Sequence, residues 1–218
     1  MTRVRSAPDR GQAFPLYVVM VAGLLFAALA FFVIGQAAVT RSDAQGAADA
    51  AALAAGREAR DRVLLGVDLA MLKPEDWAKI VDADYLKSNG ACAEADAFAA
   101  RNGAKAQCDA SPPKFTVTVE SDRTVGDSVV PGTNGMHGTA TATALVESKC
   151  HLQDVATPSP APTVPPGDAT PEPTPTASAE APLVTFTCDK GGPIKLDPMK
   201  PGSLRDLGRK LFSVRLVN

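Results

Sequence analysis

The longest uncharged stretch of the sequence most constrains what this chain can fold into. From Ala13 to Val39 no residue is charged, a run of 27. A helix needs about 20 apolar residues to cross a hydrocarbon core about 30 Å thick, so this stretch is long enough to span a membrane. Three arginines and one aspartate precede it, and by the positive-inside bias the N-terminus lies in the cytoplasm. The sequence therefore predicts a cytoplasmic N-terminus over 1–12, a transmembrane helix over 13–39 and an extracytoplasmic remainder at the cell membrane.

A cleaved secretory signal is the alternative interpretation of the same segment. It follows a basic stretch, and the small residues Gly35, Ala37 and Ala38 lie near its end. The apolar part of a signal peptide is normally only about 7–15 residues long. The greater length of this run favours a retained anchor.

A second, alanine-rich stretch continues the helix beyond the apolar run. Strong helix formers extend from Ala44 to about Gly66, and no proline follows before Pro74, so we expect an extracytoplasmic helix over 40–67. Small side chains form one stripe at helical spacing, namely Ala44, Ala47, Ala48, Ala51, Ala52, Ala55 and Ala59. Spacing also predicts two surface ion pairs, Arg57 with Asp61 and Glu58 with Arg62. Because methyl groups allow close approach, this helix is expected to be either a plain stalk or a packing surface for other subunits.

Both stretches resemble a known family. The block from Arg10 to Leu16, the apolar span, and the segment Gln45-Gly46-Ala47-Ala48-Asp49-Ala50-Ala51-Ala52-Leu53-Ala54-Ala55 are similar to the N-terminal region of the TadE/TadG-like proteins of the Flp (tight adherence) pilus-assembly system. The resemblance covers residues 10–57. It implies a minor pilin-like or pilus-assembly protein that is anchored in the membrane by its N-terminal helix, has other pilin-like or pilus-assembly proteins as partners, and carries no catalytic residues.

Gly11 is the candidate processing site that this resemblance suggests. Prepilin peptidase substrates of the pilin type usually have a glutamate five residues after the cleavage-site glycine, whereas this sequence has Leu16 there. The difference argues against processing after Gly11, and against incorporation into a filament by the usual pilin route.

The remaining residues, 68–218, are predicted to form an extracytoplasmic head. Short helices are expected from Pro74 to about Leu86, from Cys92 to Arg101, and after Ser203, which forms a capping pattern with Asp206. Alternating apolar and polar residues predict strands at 115–120, 139–146, 183–188 and 212–217. The predicted fold class is α+β, a long N-terminal helix followed by a small antiparallel sheet with short helices, as in pilin-like proteins.

An insertion rich in proline and threonine interrupts the head. Half of the 18 prolines lie between Pro158 and Pro182. The segment 156–182 has too few large apolar residues to offset its ordering entropy, so we expect a disordered, extended insertion. Its composition is also typical of O-glycosylated stalks.

All four cysteines lie on the predicted outer side, where oxidation is permitted, and we expect two disulfides among Cys92, Cys108, Cys150 and Cys188. Three pairings are formally available. Strand parity favours one of them: Cys150 shares the inward face of Val146, and Cys188 that of Phe186. If those strands are neighbours, Cys150 pairs with Cys188 and Cys92 with Cys108.

Few sequence features favour chemistry or nucleic-acid binding. The net charge is −2, whereas nucleic-acid binders usually carry a basic face. The sequence contains no nucleophile elbow, P-loop, zincin or Rossmann motif, and Cys150 and His151 are adjacent rather than spaced as zinc ligands. We therefore expect a non-enzymatic protein with no cofactor, no metal site and no evident small-molecule substrate. A membrane-tethered module that binds a wall polymer or small ligand is the alternative; a deep polar pocket in the head would favour it, and an exposed alanine stripe would favour assembly.

Overall fold

The computed structural model of the protein describes residues 13–124, 126, 134–155 and 183–217. The predicted cytoplasmic segment 1–12 with its candidate processing site Gly11, and the predicted insertion 156–182, lie outside these residues.

A single helix, α1, runs from Ala13 to Arg62 and contains 50 residues. At 1.5 Å per residue it is about 75 Å long. It continues without interruption from the apolar run into the alanine-rich stretch, as the lack of proline predicts. At the transition, the Thr40 hydroxyl donates a hydrogen bond to the carbonyl oxygen of Gln36, 3.1 Å away in the same helix.

Within the described residues, three shorter helices follow α1. They are α2 (Pro74–Val81), α3 (Ala91–Arg101) and α4 (Leu204–Leu211), and a 3₁₀ turn at Leu69–Met71 precedes them. The first has a proline at its first position, where the missing N–H costs least, and it ends before the predicted Leu86. The last begins as predicted, because the Ser203 hydroxyl accepts a hydrogen bond of 3.2 Å from the Asp206 amide.

In the described part of the chain, seven strands form two antiparallel sheets. The first sheet has the order β1-β2-β3-β7, with β1 at Ala104–Ser111, β2 at Lys114–Thr124, β3 at His137–Ser148 and β7 at Phe212–Val217. The second has the order β4-β5-β6, with β4 at Cys150–Val155, β5 at Val184–Cys188 and β6 at Ile194–Leu196. The α+β class is confirmed.

The second sheet is a difference from the single sheet expected. The chain leaves the first sheet at Lys149, whose amide donates to the carbonyl oxygen of Leu211 at 2.8 Å, while its own carbonyl accepts from the Asp189 amide at 2.9 Å. These two hydrogen bonds pair the backbone N–H and C=O groups of Lys149 where the chain passes from the first sheet to the second. Strand β4 then pairs with β5 rather than continuing β3.

One hydrophobic core joins all the elements of the head. The inner face of β2 contributes Phe115, Val117 and Val119, which are buried together with residues of α1 and of the turn after it, from Ala44 to Leu64. Over the second sheet, Trp77 of α2 packs edge-on against Phe186, with ring centroids 6.0 Å apart. Residues 44–64 are thus part of the globular head.

Two disulfides close the head. Cys92 of α3 is bonded to Cys108 of β1, and Cys150 of β4 to Cys188 of β5. Cys150 and Cys188 are direct partners in the strand register. The structure therefore has the pairing that strand parity favours.

Candidate functional site

The N-terminal half of α1 is apolar and uncovered by the rest of the described chain. Phe14, Phe26 and Phe31 are 73%, 74% and 76% exposed. Fourteen large apolar side chains between Phe14 and Val39 are exposed, and leaving them in water would cost on the order of 20 kcal/mol. A contiguous exposed apolar surface of this size is typical of a membrane or protein contact. Among the described residues, α1 is also the one helix long and apolar enough to cross a membrane.

The length of the bare stretch matches the thickness of a bilayer core. Residues 14–35 extend about 33 Å along the helix, against about 30 Å of hydrocarbon. The head begins just beyond them. At Gly138, the second residue of β3, a Cβ would lie only 2.6 Å from the carbonyl oxygen of Thr40, so backbone meets backbone at this point.

The seven residues of the predicted alanine stripe all lie at the centre of the head. Each is at most 2% exposed, and α1 is covered along this region by β2, β3 and α3. The interpretation of the stripe as a surface for partner helices needs correction, because the chain's own sheet and helix occupy it. The stalk interpretation fails for the same reason. Short methyl side chains serve here to let a sheet lie close against a helix.

Two glycines extend this close packing toward the C-terminal end of α1. A Cβ on Gly56 would lie 2.8 Å from Cγ1 of Val214 in β7. A Cβ on Gly208 of α4 would lie 2.7 Å from the carbonyl oxygen of Arg60. Glycine inside a helix costs about 1 kcal/mol relative to alanine, and the close approach explains why both positions lack a side chain.

An ion cluster around one buried carboxylate joins α1 to α4. Asp61 is 8% exposed, and its carboxylate accepts hydrogen bonds from Arg209 at 2.7 Å and from Arg60 at 2.8 Å. Burial opposes ionisation, but the bonds from Arg209 and Arg60 outweigh it and hold the pKa of Asp61 below its usual value. The predicted pair of Arg57 with Asp61 is wrong, because Asp61 faces α4; the predicted pair of Glu58 with Arg62 is present.

A cleft lies where α1 leaves the bare stretch and enters the head. Its volume is about 860 Å³. One wall is the segment of α1 from Phe32 to Ala47, and the other consists of the α3–β1 turn at Asn102–Ala104 and the end of β2 from Ser121 to Thr124. Ser121 fixes this second wall: its hydroxyl accepts from the Gly138 amide at 2.8 Å and donates to the carbonyl oxygen of Arg123 at 2.7 Å.

Side chains that could support catalysis are not brought together in the described part of the head. Within that part, no three His, Cys, Asp or Glu side chains are placed to hold a metal ion. His151 lies 3.9 Å from Asp189 in an exposed pair, and His137 Nδ1 donates a hydrogen bond of 2.6 Å to the carbonyl oxygen of Ser121.

Sequence reasoning missed the cleft and the link between Asp61 and Arg209. The two charged residues of that link are 148 positions apart in the chain, so spacing gives no signal for it. The cleft depends on how the ends of α3 and β2 meet α1. A weak signal was available in the polar residues Ser42 and Asp43, which lie three and four positions after the end of the apolar run at Val39.

Fold and site together define a class: an α+β head built on the C-terminal half of a helix whose N-terminal half is long and apolar enough to cross a membrane. Residues 11–58 match the Tad family model, described as Flp pilus-assembly TadE/G-like. The match covers 48 of the 218 residues and confirms the resemblance seen in the sequence. No curated protein and no solved structure matches the chain. The N-terminal region is similar to the TadE/G-like domain, and together with the apolar helix it fits a pilus-assembly membrane protein.

Proposed function

We propose that the protein is a non-enzymatic, single-pass membrane component of Flp-type pilus assembly, minor and pilin-like in plan. Residues 13–39 anchor it, 1–12 lie in the cytoplasm, and the head, 68–218 together with the helix 40–67, lies outside the cell membrane. The observation that carries this proposal is the coincidence of two findings on one helix: the family match over 11–58 and the bare apolar stretch over 14–35.

Charge and cysteine chemistry support this orientation. The residues before the apolar run carry three arginines against one aspartate, which favours retention on the cytoplasmic side. All four cysteines of the head are paired in disulfides, which persist in oxidising compartments.

The anchor and the head share one continuous helix, and this suggests how the subunit works. Since the head packs directly on α1, a movement of α1 within the membrane carries the head with it. Partners cannot reach the buried alanine stripe. We therefore place subunit contacts on the bare stretch of α1, where every helix face is free to pack against another helix, and on the outer surface of the head.

Site-specific photocrosslinking in intact cells tests this function. A benzoylphenylalanine placed at Leu25 lies in the bare stretch, and one placed at Gln45 lies on the exposed side of α1 just outside it. Lys200, exposed on the head, serves as the matched control for a position remote from the helix. We expect Leu25 to capture a pilin or another pilus-assembly protein, identified by mass spectrometry, more strongly than Lys200 does. Capture of lipid alone from both Leu25 and Gln45 would contradict a role in assembly.

A further inference from the structure

The cleft at the junction of α1 and the head changes character along its length. At its lower end Phe32, Gly35 and Val39 of α1 line it, higher on α1 Asp43 does, and Arg123 and Thr124 lie on the opposite wall. From Phe32 to Ala47 it follows about 22 Å of helix. It begins inside the bare apolar stretch and ends beside the head, so it crosses the level at which hydrocarbon gives way to head groups when α1 spans a bilayer. An occupant that fits both ends is amphiphilic, with its apolar part toward the membrane.

The cleft carries one charge of each sign, on opposite walls. Asp43 belongs to α1 and Arg123 to β2, and both side chains are exposed. Among the described residues neither forms an ion pair, with the other or with a third side chain. A single anion would be attracted by Arg123 and repelled by Asp43. In a lipid head group that contains both a phosphate and an ammonium, the phosphate can pair with Arg123 and the ammonium with Asp43.

Two glycines lie on the α1 wall of the cleft and leave it open. Gly35 and Gly46 line it, and a Cβ on either would meet no atom within 4 Å. The volume of about 860 Å³ falls within the range of small-molecule sites, about 300–1,000 Å³. The hydrogen bonds of Ser121 hold the second wall in place. The cleft is therefore formed in the absence of a ligand.

We propose that this cleft binds a zwitterionic phospholipid of the outer leaflet. The phosphate lies at Arg123, the ammonium at Asp43, and the upper part of an acyl chain along Phe32 and Val39. This inference rests on the proposed membrane anchoring. A bound lipid would fill the gap between anchor and head and fix the depth at which the head sits on the membrane.

Native mass spectrometry of the full-length protein tests the site. The protein is purified in mild detergent and mixed with equal amounts of palmitoyl-oleoyl phosphatidylethanolamine and palmitoyl-oleoyl phosphatidylglycerol, and the bound lipid is counted. We expect one retained phosphatidylethanolamine. Arg123→Gln should reduce its retention about tenfold, since a charge-assisted hydrogen bond is lost. The matched control is Arg101→Gln, an exposed arginine outside the cleft, which should retain the lipid.

Two further variants change lipid retention or lipid preference in ways that a loss of stability would not produce. Gly46→Phe fills the cleft and should abolish retention, whereas Gly23→Phe, on the bare stretch with nothing within 4 Å, should not. Asp43→Asn removes the ammonium partner and should shift the preference from phosphatidylethanolamine toward phosphatidylglycerol. The fluorescence of Trp77, the single tryptophan, reports that the head of each variant is folded.

Flotation of the same samples with vesicles of both lipids separates this proposal from membrane anchoring. If the wild type floats but retains no phosphatidylethanolamine, or if Gly46→Phe retains it as well as the wild type, the lipid site is refuted and anchoring stands. If the wild type does not float, anchoring and the lipid site are both refuted.

Discussion

Adding one methyl group at Gly56 tests whether α1 packs directly against the sheet. A Cβ at this position would lie 2.8 Å from Cγ1 of Val214 and 3.4 Å from the Cβ of Ala144. Overpacking of this kind costs about 1–3 kcal/mol, while alanine gains about 1 kcal/mol over glycine in a helix. We expect Gly56→Ala to lower the free energy of unfolding by about 1 kcal/mol.

Gly46 provides the matched control on the same helix, because a Cβ there meets no atom within 4 Å. Gly46→Ala should therefore stabilise the head by up to about 1 kcal/mol. For a head of this size each kcal/mol corresponds to a shift in Tm of about 2–4 °C. Thermal unfolding of the full chain in detergent, followed by the fluorescence of Trp77, should show Tm falling for Gly56→Ala and rising for Gly46→Ala.

The partner of the added methyl group can be tested as well. Val214→Ala removes the atom nearest to the new Cβ, so the double variant Gly56→Ala/Val214→Ala should be more stable than the two single changes predict, by about 1–3 kcal/mol. If Gly56→Ala instead raises Tm as Gly46→Ala does, or shows no coupling to Val214, the close packing of α1 on β7 is refuted.

Three further predictions concern charge and covalent links. Asp61→Asn should destabilise the head by about 2–3 kcal/mol at pH 7. Because the arginine partners of Asp61 lower its pKa, the difference in stability between wild type and variant should shrink as the pH falls below about 4. Acid-unfolding curves that show the same difference at every pH would refute the ion cluster. Glu147→Gln, which breaks an exposed pair with Arg215, should change stability in the same assay by no more than about 1 kcal/mol, and a larger loss would contradict this. Replacing Cys150 and Cys188 together by serine should lower stability in urea unfolding by about 2–4 kcal/mol, and an unchanged midpoint would argue against the link.

Much of the fold could be predicted because local patterns and tertiary packing agree. The apolar run predicts the first part of α1, and the alternation around Phe115–Glu120 predicts the centre of β2. Strand β1 was missed. Its inward residues are Ala104, Ala106 and Cys108, small side chains of low strand propensity, so the strand depends on pairing with β2 rather than on its own sequence.

The candidate site was predicted only in part, for a similar physical reason. An alanine stripe shows that something packs closely on a helix, but it does not distinguish the chain's own sheet from another subunit. That distinction depends on contacts between distant residues, such as Gly56 with Val214 and Asp61 with Arg209. The resemblance at 10–57 carried the functional prediction.

Labelling of single introduced cysteines in intact cells tests most directly whether α1 crosses the membrane with its head outside. The native cysteines are in disulfides, so a membrane-impermeant maleimide reports only on the new position. We expect a cysteine at Gln45 to react in intact cells, one at Ser6 to react only after lysis, and one at Leu25 to stay unreactive in both. Labelling of Ser6 in intact cells, or labelling of Leu25 as fast as Gln45, would contradict the anchored topology.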